Sequence, residues 1–176
     1  MSDGTIEQTG ERVTFRFERR LSHAIDTVWK AITDPAELER WLGQRPEIEL
    51  RPGGRYVSYH GSGDRVVDRV LRIEPPTLFE HTFWEQVNPT AVVTWRLSPI
   101  ADGCLLVLTH SLGMADIRGA AATVARGDDY TLIISRNGAG WHRLLDKLEA
   151  ALAGHSMEWS EQAQKALQER YAAMLA

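Results

Sequence analysis

The chain is almost free of cysteine. Cys104 alone among 176 residues excludes an intrachain disulfide framework and any multi-cysteine zinc or iron–sulfur site. Positive charge is not in surplus either: Lys and Arg number 20 against 24 Asp and Glu, a formal net charge of -4. A mildly acidic chain suits a phosphate backbone poorly, so no nucleic-acid partner is expected. No apolar run approaches the roughly 18 residues that span a bilayer. The opening MSDGTIEQTG lacks the basic-then-apolar order of a secretory signal, and a cytoplasmic location is expected. There is no G-x-S-x-G nucleophile elbow, and Gly53-Gly54 leads into a strand with no following Lys, so it is no phosphate loop.

What is present is pattern. Residues 1–11 carry no apolar periodicity and read as a flexible N-terminal tail. Val13, Phe15 and Phe17 alternate with polar residues, as in a half-buried strand. The period then turns helical, with Ala24, Ile25, Val28, Trp29 and Ile32 on one side and Ser22 placed to cap the start. Asp34-Pro35 ends that helix and opens a second, with Leu38, Trp41 and Leu42 apolar and Gly43 as its stop. Six strands follow near 47–50, 54–60, 65–73, 78–85, 91–98 and 104–111, separated by turn residues and therefore sequential antiparallel neighbours. Residues 112–135 form an insertion with a helix inside it. A long helix is expected over 138–153 with Trp141, Leu144, Leu145, Leu148 and Leu152 on one side. A last helix, capped by Ser160, carries a stripe of Ala163, Ala166, Leu167, Tyr171 and Met174, which can pack in cis or across a homodimer.

This order implies an α+β fold. A curved antiparallel sheet must cover its apolar face, and one long helix cannot fill the concavity of seven strands. The two short helices close one end, and the remaining space is a candidate ligand cavity. The domain runs from 12 to 154, with 155–176 as a helical extension on the same body.

Several short motifs, in this order and spacing, resemble the SRPBCC (START-like, Bet v-like) superfamily, and within it the heat-shock-protein ATPase activator homologues. They are Val28-Trp29 with Ile32-Thr33-Asp34-Pro35, Leu38 with Trp41, Arg51-Pro52-Gly53-Gly54, Ile73-Glu74-Pro75-Pro76, Val93-Thr94-Trp95, Thr109-His110 and Gly140-Trp141. The resemblance covers residues 12–153. It implies a helix-grip fold, seven strands around a long C-terminal helix, and a deep apolar cavity. It implies no single activity. The long 112–135 connection depart from the simplest members, as does Asp68 at a position where a small residue is expected.

Alternation and helical facing select the cavity candidates: Trp41, Tyr56, His60, His81, Phe83, Trp95, His110, Trp141 and Leu145. Aromatic walls with a few polar groups suit a small apolar or amphipathic molecule. Neutral His60, His81 and His110 can each bond a ligand oxygen or move a proton. Two other readings stay open: a cyclase or hydrolase acting on a polyketide or aromatic substrate, and a co-chaperone-like interaction module. The second is weakened because only about eleven residues precede the first strand, whereas the family's chaperone activity belongs to proteins with an additional N-terminal domain. No cofactor or metal is expected. His23, His142 and His155 read as surface residues, Cys104 as a small buried side chain, and Arg65, Arg69 and Arg72 with Asp64 and Asp68 as a solvated charge ladder. Arg118, Arg126 and Arg136 in the insertion are candidate guards of a cavity mouth that would favour an acidic ligand.

Overall fold

The computed structural model describes residues 3–60, 63–125 and 130–175. Eight antiparallel strands make one curved sheet in the order β1-β2-β8-β7-β6-β5-β4-β3. They are β1 (Thr5–Thr9), β2 (Arg12–Leu21), β3 (Glu47–Ile48), β4 (Arg55–His60), β5 (Asp64–Glu74), β6 (Leu78–Thr82), β7 (Val92–Ile100) and β8 (Gly103–Gly113). From β3 to β8 each strand pairs with the next; β2 returns to close on β8, with Phe15 opposite His110 and Phe17 opposite Leu108. The helix-grip class expected from the element order is therefore the fold observed, with one strand more than expected.

The extra strand lies in residues read as a tail. Thr5–Thr9 is an edge strand paired only with β2, and its side chains are exposed apart from half-buried Ile6. A strand wetted on both faces leaves no alternation to detect. The hairpin into β2 turns at Gly10, whose φ of 57° favours glycine.

Helices α1 (Ile25–Thr33) and α2 (Pro35–Leu42) meet at Asp34, whose carboxylate accepts from the amides of Ala36 and Glu37. Pro35 occupies the first turn of α2, where its missing N–H costs nothing. Gly43 ends α2 in the left-handed region at φ 85°. Ser22 does not cap α1; Ala24 stands at that position with no side-chain bond. The insertion resolves into the end of β8, α3 (Met114–Ala120), a π-helical turn (Ala121–Ala125) and the first turns of α4. Arg126 lies outside the described residues.

The long helix α4 (Tyr130–Leu152) starts eight residues before the expected 138. Gly138 and Gly140 suggest a helix start in the sequence, but both lie inside α4 and serve packing. A Cβ on Gly138 would stand 2.6 Å from the Tyr171 ring of α5 (Glu161–Ala173). Tyr171 and Leu167 seat α5 on α4, while Met174 is exposed.

A buried polar network fastens α4 to the sheet and to α5. Arg19 continues the inward face of β2 after Phe15 and Phe17, and lies 3.4 Å from Asp146 and 2.7 Å from Glu149. Asp146 stands 3.4 Å from His142, one helical turn earlier. His142 shares a 2.9 Å hydrogen bond with the Tyr171 hydroxyl, which also accepts from the Gly4 amide at 2.9 Å. His142 is thus buried, contrary to the surface reading. Asp68 is also buried and inward, so the charge ladder on β5 does not form; Arg69 pairs with Glu85 and Arg72 with Glu74.

Gly138→Ala is expected to lose about 1–3 kcal/mol of stability in urea unfolding, because fully buried Tyr171 has no room to yield. An unchanged midpoint would show that the α4–α5 contact tolerates the added methyl.

Candidate functional site

On the concave side, a pocket of about 190 Å³ lies between α4 and the β4–β7 half of the sheet. Strand β4 contributes Tyr56, Ser58 and His60, which alternate onto one face, together with Tyr59. Asp68 comes from β5, His81 from β6 and Trp95 from β7. Trp41 and Leu42 enter from α2, Trp141 and Leu144 from α4. β6 ends at Thr82, short of the expected 85, and the chain bends there, with Trp84 at φ 52°. Phe83 therefore reaches the cavity from the bend and not from strand alternation.

Of the nine candidates, seven line this space. His110 stands behind the wall and Leu145 lies in the core, while its neighbour Leu144 faces the cavity. Sequence reasoning left out Leu42, Ser58, Tyr59 and Leu144, and misread Asp68 as solvated. Alternation along β4 placed Ser58 between Tyr56 and His60. On β5 the adjacent Val66 and Val67 blur the period that would have turned Asp68 inward.

Three indole N–H groups are buried here, and each finds an acceptor. Trp41 Nε1 donates to the Ala31 carbonyl at 3.0 Å, Trp95 Nε1 to His81 Nε2 at 3.2 Å, and Trp141 Nε1 to His110 Nδ1 at 2.9 Å. His81 Nδ1 lies 2.6 Å from the Thr82 carbonyl and must donate to it, so both its nitrogens are committed. Phe83, Trp95 and His110 surround Trp141 with ring centroids 5.1–5.9 Å away.

The polar floor is separately organised. Asp68 Oδ1 accepts from the Thr82 hydroxyl and the Glu85 amide, both at 3.1 Å. Desolvation nevertheless raises the Asp68 carboxyl, against the lowering effect of those bonds. Burial, reinforced by Asp68 opposite, pushes the Tyr56 phenol well up. His60 Nε2 lies 3.0 Å from Ser58 Oγ; desolvation lowers its pKa, partly opposed by Asp64.

A second, outer pocket of about 340 Å³ adjoins the first and shares His60, Phe83, Trp141 and Leu144 with it. Its remaining walls come from α4 and include Arg136 and Arg143. Arg118 instead pairs with Glu11, 3.2 Å away. A larger groove of about 480 Å³ runs between α1, α2 and the end of α4, with the charged Asp26, Lys30, Glu37 and Arg40 among its walls. The smaller space instead has aromatic walls, and its polar groups converge from β4 and β5. Among the described residues, no three His, Cys, Asp or Glu side chains are grouped to hold a metal ion. No described helix is long and apolar enough to cross a membrane.

A curved sheet gripping one long helix defines the class, and comparison with known proteins gives the family. Residues 22–153 match the family described as activator of Hsp90 ATPase homolog 1-like protein, and the chain belongs to that family, within the SRPBCC superfamily. Among solved structures, it is similar to EF2215 of Enterococcus faecalis, a conserved protein of unknown function, with a TM-score of 0.75 and 19% identity over 98% of this chain and 90% of that one. CalU16 of Micromonospora echinospora is similar with a TM-score of 0.71 and 25% identity, over 98% of this chain and 94% of that one. The uncharacterised protein C1711.08 of Schizosaccharomyces pombe is 26% identical over 100 residues, 57% of this chain. The match spans only 25% of that relative's length.

The indole–imidazole pairs make the fold sensitive to acid. Burial lowers His81 from 6.5 to about 4 and His110, which the nearby His81 also disfavours charging, to about 3. The unfolded chain binds these protons near pH 6.5, so their contribution to stability is complete above 6.5 and declines as pH falls toward 4 and 3. The raised carboxyls of Asp68 and Glu149 work in the opposite direction and offset part of the loss. The melting temperature should therefore fall between pH 7 and 4.5, and fall less in His110→Gln, whose amide oxygen can still accept from Trp141. Equal slopes in the two proteins would show that His110 is not the linked group.

Proposed function

We propose that the protein binds a small apolar or amphipathic molecule in the cavity between the sheet and α4. One observation carries the reading: rigid aromatic walls enclose a space whose few polar groups, Tyr56, Ser58, His60 and Asp68, converge from adjacent strands. The family's ligand-binding type of fold supports it. Native mass spectra of gently purified protein should show an adduct of a few hundred daltons that is lost on denaturation. The neutral two-ring fluorophore 2-methoxynaphthalene should bind, and Trp95→Ala should weaken it by about fivefold or more. A clean apo mass together with no probe binding would overturn the reading.

A hydrolytic reading has one specific observation in its favour, the 3.0 Å Ser58–His60 contact on the cavity wall. His81 lacks a free nitrogen, and His110 is tied to Trp141 behind the wall, so His60 is the histidine placed to move a proton. Release of p-nitrophenolate from an acyl ester should then be lost in Ser58→Ala and in His60→Gln. Turnover retained in both variants would remove this reading.

A further inference from the structure

The two arginines at the outer pocket stand apart from the ion-paired arginines of the molecule. Arg16, Arg40, Arg51, Arg69, Arg72, Arg118 and Arg170 each pair with a carboxylate. Among the described residues, neither Arg136 nor Arg143 has an acidic partner, and no carboxylate lines the outer pocket. Arg143 is half-buried. Its one hydrogen bond goes to neutral Gln164, and its Nε is buried without a partner. Desolvation lowers its pKa, the sign of a cation held without compensation.

Position on α4 brings the pair together. Residues 136 and 143 are seven apart, about two helical turns, and share a face. Gly140 lies between them, and a Cβ there would meet nothing within 4 Å. Phe83 and Trp141 wall both this gap and the inner cavity.

We infer that the ligand is an amphipathic acid, with its carboxylate between Arg136 and Arg143 at the mouth and its apolar part in the inner cavity. This rests on the cavity-binding reading above. Guanidinium groups offer paired N–H donors that match a carboxylate, and the anion would supply the partner that Arg143 lacks. Orientation follows from Asp68 on the inner wall, which repels an anionic head and keeps it outward. The inner volume of about 190 Å³ lies below the roughly 300–1,000 Å³ of common drug-sized sites, so the apolar part is compact, of one or two rings.

The test uses the full-length protein and a matched pair of probes, 2-naphthylacetate and its neutral amide, 2-naphthylacetamide. Binding is read by calorimetry and by the shifts of the Trp95 and Trp141 indole N–H signals. The acid should bind about tenfold more tightly than the amide, and added salt should reduce that preference. Arg136→Gln, a change at an exposed position with no protein partner, should lower acid affinity severalfold and leave the amide unchanged. Arg136→Gln with Arg143→Gln should abolish the preference. Leu144→Trp, which adds bulk at a residue lining both spaces, should abolish binding of both probes. Equal affinity for acid and amide in the unmodified protein would overturn the acid preference and leave the cavity reading intact. So would parallel loss of both probes in Arg136→Gln. If neither probe binds, or both bind undiminished to Leu144→Trp, the cavity reading fails and this inference falls with it.

Discussion

Laying α4 into the sheet requires the burial of indole rings whose N–H groups cannot be left without acceptors. An unpaired buried donor costs about 1–3 kcal/mol, comparable to much of the gain from burying the ring. The molecule supplies imidazole nitrogens at the two central positions, His81 for Trp95 and His110 for Trp141. An imidazole accepts only while that nitrogen is unprotonated. A second proton would set donor against donor in a site already hostile to charge. The same two bonds thus fix ring orientation, hold both histidines neutral and turn the cavity wall into a rigid surface. They also occupy His81 Nε2 and His110 Nδ1, so that, with His81 Nδ1 on the Thr82 carbonyl and His110 behind the wall, the polar groups open to the cavity are those of β4 and Asp68.

Much of this was legible in the chain. Val13, Phe15 and Phe17 announce β2 because one face of that strand is buried and the other wet. Asp34-Pro35 and Gly43 bound α2 because each satisfies a local backbone requirement within a few residues. The family motifs fixed the grip and its approximate cavity. The failures share a cause. Arg19 is buried because Asp146, 127 residues away, meets it, and local periodicity carries no trace of such a partner. His142 looks like a surface residue until Tyr171 and Asp146 are placed beside it. Asp68 is inward because the 82–85 bend turns a hydroxyl and an amide toward it. In each case a polar side chain is buried at the expense of local rules and is compensated by residues distant in sequence.

Among the candidate site residues the same distinction holds. Tyr56, His60 and Trp95 were legible because strand alternation determines their direction. Leu145 was chosen over Leu144 because a helical stripe is wider than one residue, and only the crossing angle of α4 decides which neighbour faces the cavity. Phe83 reaches the site by another route than the one expected: a strand running to 85 would have pointed it inward by alternation with His81, yet the strand ends at Thr82 and the bend delivers it.

The persistence of a cavity in so aromatic a core follows from how α4 is held. A helix retained by apolar contacts alone would settle toward the sheet until the void closed, since empty space forfeits dispersion contacts. Here His142 and Asp146, one turn apart, tie α4 to Arg19 and Tyr171 through directional bonds that fix its height over the sheet. Tyr171 against Gly138 wedges the outer side. The neighbouring face, carrying Gly140 and Leu144, puts small and apolar residues beside the opening. The polar network on one side of α4 and the pockets on the other are therefore parts of one arrangement. Bonds that set the helix position make it possible for the space beside Trp141 to remain open.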